Sequence, residues 1–165
     1  MTVVFTRMPS PVGDVLLAGD GHELSAIWIS GQRWAPSIGA DWRASAPPFA
    51  VARRQLDEYF AGERTTFKLP LRLSGTPFQT EVWAELRRIP FGQTRTYGEI
   101  AASLGRPAAA RAVGAANGQN RFCIVVPCHR LIGAGGGLVD YAAGIDVKRR
   151  LLDHEARVAA GATLP

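Results

Sequence analysis

Residues 96–130 read TYGEIAASLGRPAAARAVGAANGQNRFCIVVPCHR, and the fold turns on how this stretch is read. Thr96 is placed to cap a short helix over residues 97–104, with Tyr97, Ile100, Ala101 and Leu104 as its apolar positions and Gly105 closing it. Arg106-Pro107 then starts a second helix, carried mainly by residues 108–117. Two short helices around a tight glycine-containing turn predict a helix-turn-helix. The second helix is nearly bare. Ala108, Ala109, Ala110, Ala112, Gly114, Ala115 and Ala116 surround Arg111, its only long side chain. Such a helix can lie close to a duplex backbone or shallow groove and project one guanidinium. With equal weight, its small residues serve only to pack it tightly on its neighbours. After Asn120, residues 122–126 read as a buried strand that stops at Pro127-Cys128-His129-Arg130.

Outward from this stretch, Thr76 caps a helix over residues 77–89, containing Phe78, Val82, Trp83 and Leu86, and Pro90 stops it. Leu73-Ser74-Gly75 marks a boundary between residues 1–73 and 74–165. The first part predicts a small antiparallel meander over residues 2–7, 14–18 and 24–29, broken by Pro9, Pro11, Gly13 and the Gly19-Asp20-Gly21 turn. Residues 31–48 read as a surface loop. A helix over 49–60 turns Val51, Leu56, Tyr59 and Phe60 inward and ends at Gly62, and residues 66–71 form a further strand. The expected class is therefore mixed α/β of the α+β kind: an N-terminal sheet part with one helix, then a mostly helical part.

The chain has 165 residues, 47% hydrophobic and 20% charged, which is ordinary globular usage and sets global disorder aside. No apolar run of 18 residues occurs, and MTVVFTRMPSP lacks the layout of a secretory signal, so a soluble cytoplasmic protein without a membrane partner is expected. The net charge of +5 is unevenly placed. Residues 1–73 carry eight basic and seven acidic groups, whereas 74–165 carry eleven and seven. Within 87–130, Arg87, Arg88, Arg95, Arg106, Arg111, Arg121 and Arg130 face only Glu99, which marks that segment for a polyanion.

Cys123 sits inside an apolar run and reads as a small core residue, whereas Cys128 has Pro127, His129 and Arg130 as neighbours. Basic groups beside a thiol favour its reactive thiolate form. In the last helix Val147, Leu151, Glu155 and Val158 share one face, so Glu155 interrupts an apolar stripe. That carboxylate either reaches water at the rim or pairs with a histidine near the core. In the second case Glu155 fixes the tautomer of His129, and His129 takes the Cys128 proton directly or through one water. A metal site of Cys123, Cys128, His129 and His154 competes with this reading. On a continuous strand, however, Cys123 and Cys128 point to opposite faces and no Cys-x-x-Cys exists, so no metal is expected. His22 and His154 read as solvated. The run Gly133–Gly137 lacks the ending of a phosphate loop and reads as a flexible connection. A cysteine hydrolase and a DNA-binding protein without chemistry both remain open on these residues.

Pro127-Cys128-His129-Arg130, with Arg111-Ala112-Val113-Gly114 and Asn117-Gly118-Gln119-Asn120 before it, resembles the O6-alkylguanine-DNA alkyltransferase family. The likeness continues through Phe78-Gln79, Val82-Trp83, Ile89-Pro90, Gly92, Thr94, Thr96-Tyr97-Gly98-Glu99-Ile100-Ala101, Lys148, Leu151-Leu152 and Glu155, which spans most of residues 76–155. The resemblance implies a ribonuclease H-like sheet domain followed by a winged helix-turn-helix-like domain. It also implies a single-turnover repair reaction, needing no cofactor or metal, in which the alkyl group on O6 of a flipped guanine passes to the protein's cysteine, with activity on O4 of an alkylated thymine left open. By that likeness Cys128 is the acceptor, His129 its base through a bridging water, Glu155 the orienter and Asn120 a hinge. Arg111 fills the gap left by the flipped base, with Arg106, Ala110 and Tyr97 also on the DNA. Tyr97 further donates to the purine, and Leu131, Tyr141, Ala142 and Ala143 line the pocket. The implied partner is double-stranded DNA carrying alkylated guanine, bound by a monomer, with cooperativity on DNA left open. Arg121 stands where the family usually has proline, and Asp140, Ala142 and Ala143 stand in a loop that is usually glycine-rich.

Overall fold

A computed structural model describes residues 2–32, 37–139 and 141–161. Asp140 and residues 33–36 of the expected surface loop lie outside them. The chain opens with β1 (Val4–Met8), β2 (Val15–Gly19) and β3 (Leu24–Ile29), paired antiparallel in sequence order. The meander is as predicted, but it gains an edge. A two-residue strand, β4 (Arg43–Ala44), pairs parallel with β1 from within the segment read as loop. Two residues carry no period, so the pattern alone had no means of registering it.

A 3-10 turn at Pro47–Phe49 leads into α1 (Ala50–Phe60). Its inward face is Ala52, Gln55, Leu56 and Tyr59, while Val51, expected inside, is 48% exposed. Gln55 turns inward because it has backbone to bind: its side chain donates to Lys68 O at 3.1 Å and accepts from Lys68 N at 3.0 Å. Those bonds help hold residues 66–71, which form no strand. Only Leu71 bridges Leu24, with Leu24 N donating to Pro70 O and Arg72 N to Leu24 O, each at 2.8 Å.

α2 (Pro77–Arg87) begins with a complete capping box between Thr76 and Gln79. A second box, Thr96 with Glu99, starts α3 (Tyr97–Ser103), and Gly105 at φ +71° supplies the left-handed turn that ends it. α4 (Ala110–Gly118) starts later than the proline suggested. The residues between it and α3 form the turn of the helix-turn-helix. Trp83 locks α2 to α4 by donating from its indole to Ala116 O at 3.0 Å.

Residues 122–126 are buried but do not form a strand. Val126 N donates to Phe122 O and Val125 N to Cys123 O, and Ile124 adopts φ +74°, so the segment is a chain of tight turns. Its one ladder contact is Phe122 with Ile27 of β3. An apolar run reports burial, and here tight turns, the Asn120 side chain and a single point of contact with β3 satisfy the backbone in place of a continuous ladder. A 3-10 turn at Cys128–Arg130 follows. Beyond it, β6 (Leu131–Ile132) pairs parallel with β5 (Arg95–Thr96) and ties the acceptor motif to the start of α3. The glycine run is a hydrogen-bonded turn, Gly133 N to Gly137 O at 2.9 Å. The chain closes with α5 (Ile145–Ala159). One continuous core joins Leu17, Ile27 and Leu56 of the N-terminal elements to Val82, Leu86, Val126 and Leu151 of the C-terminal ones.

Candidate active site

Cys128 and His129 sit in the 3-10 turn at the end of the irregular segment and are 5% and 0% exposed. Asn120 shapes that segment from inside. It accepts from Phe122 N at 2.9 Å through Oδ1 and donates to Val126 O at 2.9 Å through Nδ2, which pins the turn that delivers Cys128. At Arg121, where the family usually has proline, the carbonyl accepts from Ile27 N at 2.8 Å, so β3 holds that corner.

Glu155 lies on the inner face of α5 and does not reach water. His129 Nε2 is 2.6 Å from Glu155 Oε2, and Arg130 reaches both carboxylate oxygens at 2.8 and 3.0 Å. Burial pushes the Glu155 carboxyl up, but the hydrogen bond from His129 and the hydrogen bonds and charge of Arg130 outweigh it and hold the group far below the usual carboxylate range. Ionised Glu155 accepts the Nε2–H of His129. Burial in turn depresses the imidazole below its ordinary value despite Glu155, so His129 is neutral and its Nδ1 carries the lone pair. That Nδ1 is buried without a hydrogen-bond partner among the described residues.

The cations act differently from the sequence reading. Arg130 does not face Cys128; besides Glu155 it donates to Ile89 O at 2.7 Å and lies over the Phe91 ring. It is also buried, so the surface part of the basic cluster is Arg87, Arg88, Arg95, Arg106, Arg111 and Arg121. The cation acting on Cys128 is Lys148, fully buried on α5. Its side chain donates to Val139 O at 3.2 Å. Lys148, Leu151 and Glu155 share the inner face of α5 at helical spacing; the sequence reading set Leu151 and Glu155 on that face but not Lys148.

Cys123 does not point away from Cys128. Because the segment turns instead of extending, both thiols enter one buried cluster with Tyr141. Cys123 has one proton for two acceptors, Gln32 Oε1 at 3.0 Å and the Cys128 sulfur. Hydrogen bonding to Cys128 and burial push the Cys123 thiol well up. The same contact draws Cys128 down; burial opposes it, and Asn120, Lys148 and Tyr141 assist it. Cys123 is thus more than a core filler. His154 is also buried rather than solvated, bonding Tyr59 O at 2.8 Å. Among the described residues no group of three or more His, Cys, Asp or Glu side chains could hold a metal ion.

Of the remaining predicted residues, Leu131 and Tyr141 are buried, while Ala142 and Ala143 are half-buried in the same loop. Tyr97 opens α3 and packs on α4, where a Cβ on Gly114 would stand 3.4 Å from its ring. Arg111 is exposed on α4, Ala110 is its first residue, and Arg106 lies over the Phe78 ring at 5.2 Å. Among the described residues, no helix is long and apolar enough to cross a membrane.

A helix-turn-helix that carries an exposed arginine and stands beside a buried cysteine, a neutral histidine and a carboxylate is the layout of a DNA-directed thiol protein. Comparison with known proteins narrows this. Residues 3–73 match the ribonuclease-like domain of 6-O-methylguanine DNA methyltransferase, and residues 77–157 match its DNA binding domain. A methylated-DNA--protein-cysteine methyltransferase of Mycobacterium leprae is 50% identical over 149 residues, covering 90% of this chain and 89% of that protein. The constitutive enzyme of Bacillus subtilis is 42% identical over 160 residues, covering 92% and 94%. The crystal structure of Mycobacterium tuberculosis OGT in complex with DNA superposes with a TM-score of 0.88 at 46% identity, covering 97% of this chain and 95% of that one. The chain belongs to the 6-O-methylguanine DNA methyltransferase family.

Proposed function

We propose that this protein repairs DNA by direct reversal, with Cys128 as the acceptor that takes the alkyl group from O6 of a guanine flipped out of the duplex. The observation that carries the reading is the buried 2.6 Å contact between His129 and Glu155, directly beside a buried thiol that is drawn toward its thiolate. Glu155 holds the Nε2–H of His129, which leaves Nδ1 to receive the Cys128 proton, directly or through one water. The sulfur forms a C–S bond as the C–O6 bond breaks, and the proton returns through His129 to the purine, restoring guanine. Tyr97 donates to the purine as it gains charge. A thioether is a poor leaving group in reverse, so each molecule acts once. Leu131, Tyr141, Ala142 and Ala143 line the slot, and the same chemistry extends to O4 of an alkylated thymine.

Arg111, with Arg106, Ala110 and Tyr97, lies against the duplex, and Arg111 fills the space of the flipped base. The exposed arginines of residues 87–121 supply salt-dependent, sequence-neutral contacts to phosphate. In this reading residues 1–73 and 74–165 are two domains of a cytoplasmic monomer that uses neither cofactor nor metal.

Intact-mass analysis after mixing with an O6-methylguanine duplex tests the acceptor. One added methyl group on the peptide containing Cys128, and none in Cys128→Ala, is the expected result; unmodified protein with undiminished lesion refutes it, and product beyond one equivalent indicates a hydrolase. In Arg111→Ala, duplex repair slows by roughly tenfold or more, as for loss of a residue that stabilises the flipped state, while reaction with free O6-benzylguanine is spared. Equal losses on both substrates contradict the finger role.

A further inference from the structure

We propose that Tyr59, contributed by α1 of the N-terminal part, is a positioning residue for alkyl transfer: it fixes the Glu155 carboxylate that holds His129. This rests on the reading of His129 and Glu155 as base and orienter. The Tyr59 hydroxyl donates to Glu155 Oε2 at 2.6 Å, the same oxygen that His129 engages at 2.6 Å. The remaining contacts on the carboxylate are the Arg130 fork and Gly92 N, which donates to Oε1 at 3.1 Å. Arg130 and Gly92 grip the carboxylate from the C-terminal elements. Among the described residues, only Tyr59 reaches it from the sheet side of the molecule, 96 residues away in sequence.

Three features separate this contact from incidental packing. Tyr59 is fully buried, and a phenylalanine of the same shape would fill its place without a polar atom, so the hydroxyl is tolerated because an acceptor meets it. Its ring is held by Phe60, Phe67, Phe91 and His154, with centroids 5.1 to 5.8 Å away, which makes the donor rigid. Burial and the adjacent Glu155 charge push the phenol well above its ordinary value, so it stays protonated and only donates. Sharing Oε2 among three donors, Tyr59, His129 and one arm of Arg130, has a chemical consequence. The carboxylate pulls less strongly on the imidazole, and His129 remains a base that can return its proton. The charged groups acting on His129 are Glu155, Arg130 and Lys148, and His154 packs on the Tyr59 ring.

Tyr59→Phe tests this, because the ring and its packing are kept. The single-turnover rate of Cys128 benzylation at saturating lesion duplex is followed across pH, beside duplex affinity and thermal unfolding. The expected result is a rate lower by roughly tenfold, with affinity unchanged, as for loosening a general base without removing it. The acid limb of the profile moves to higher pH, since the freed carboxylate raises the basicity of His129. In a Glu155→Gln background the same substitution has no further effect on rate, because the two residues act in series. Phe67→Leu, which loosens the packing without touching the hydrogen bond, lowers stability and leaves the acid limb in place. An unchanged profile in Tyr59→Phe, beside a slowed Glu155→Gln, overturns the role of Tyr59 alone. Equal losses from Tyr59→Phe in the native and Glu155→Gln backgrounds overturn it as well, since they reduce it to packing. Full activity in Glu155→Gln overturns the base-and-orienter reading beneath it.

Discussion

Two clusters of buried polar groups meet at His129, and they are built on opposite terms. Around Glu155 each oxygen has donors from several elements: Tyr59 of α1, His129 and Arg130 of the 3-10 turn, and Gly92 of the loop after α2. Around Cys128, hydrogen-bonding capacity is left over. Cys123 divides one proton between two acceptors, while among the described residues His129 Nδ1 is buried without a hydrogen-bond partner. A saturated network is rigid, whereas groups that must receive a substrate need capacity to spare. The comparison separates the scaffold of the site from its reacting face, with the imidazole spanning both through its two nitrogens.

The sharpest way to break this division is Glu155→Gln. It leaves the buried Arg130 guanidinium facing a neutral amide, and stability falls by about 3–5 kcal/mol, the usual cost of breaking a buried ion pair, as read by chemical denaturation. Alkyl transfer falls by roughly 100-fold or more, because His129 loses its fixed tautomer. The carboxyl is depressed in the folded state, so its contribution to stability is present above the ordinary carboxylate range and lost as pH falls below it. The variant should therefore show a shallower acid slope, and an identical slope would mean that the scaffold does not depend on this charge.

Asn120→Ala cuts between the two clusters. The bonds to Phe122 N and Val126 O disappear and leave buried backbone groups unpaired, at about 1–3 kcal/mol, with slower transfer because Cys128 loses both its seat and a hydrogen bond. A variant that is destabilised but transfers at the native rate would show that the turn is not needed to deliver the sulfur. The smallest effect belongs to the reacting face. Cys123→Ala leaves the fold intact and moves the thiolate onset of Cys128 to higher pH, seen in the rate of reaction with free O6-benzylguanine between neutral and alkaline pH. An unchanged onset would return Cys123 to the status of a core residue.

Legibility in the sequence followed locality. The caps at Thr76 and Thr96, the glycine at the end of α3 and the bare helix around Arg111 are local signals, and the elements form where those residues sit. Leu24–Ile29 and residues 122–126 are both β-branched or apolar runs, yet only the first found partner strands. The second was misread because burial and extension leave the same composition. From that error came the placement of Cys123 and Cys128 on opposite faces. His154 and Tyr59 were likewise assigned by residue type, to solvent and to the core, whereas each is a hydrogen-bonding group whose partner lies about 95 residues away.

By itself the sequence determined the class of fold, the helix-turn-helix, and the chemical types of the site: a thiol beside an imidazole, a carboxylate on the last helix and a projecting arginine. These depend on side-chain identity and on spacings of a few residues. The tertiary structure alone decided which groups share a proton and which share a charge. It turned Arg130 away from the thiol toward Glu155, brought Lys148 and Cys123 to Cys128, and set the Tyr59 hydroxyl on the oxygen that holds His129. Hydrogen bonds and buried charges act over a few ångströms, and only folding brings residues so far apart in sequence within that distance.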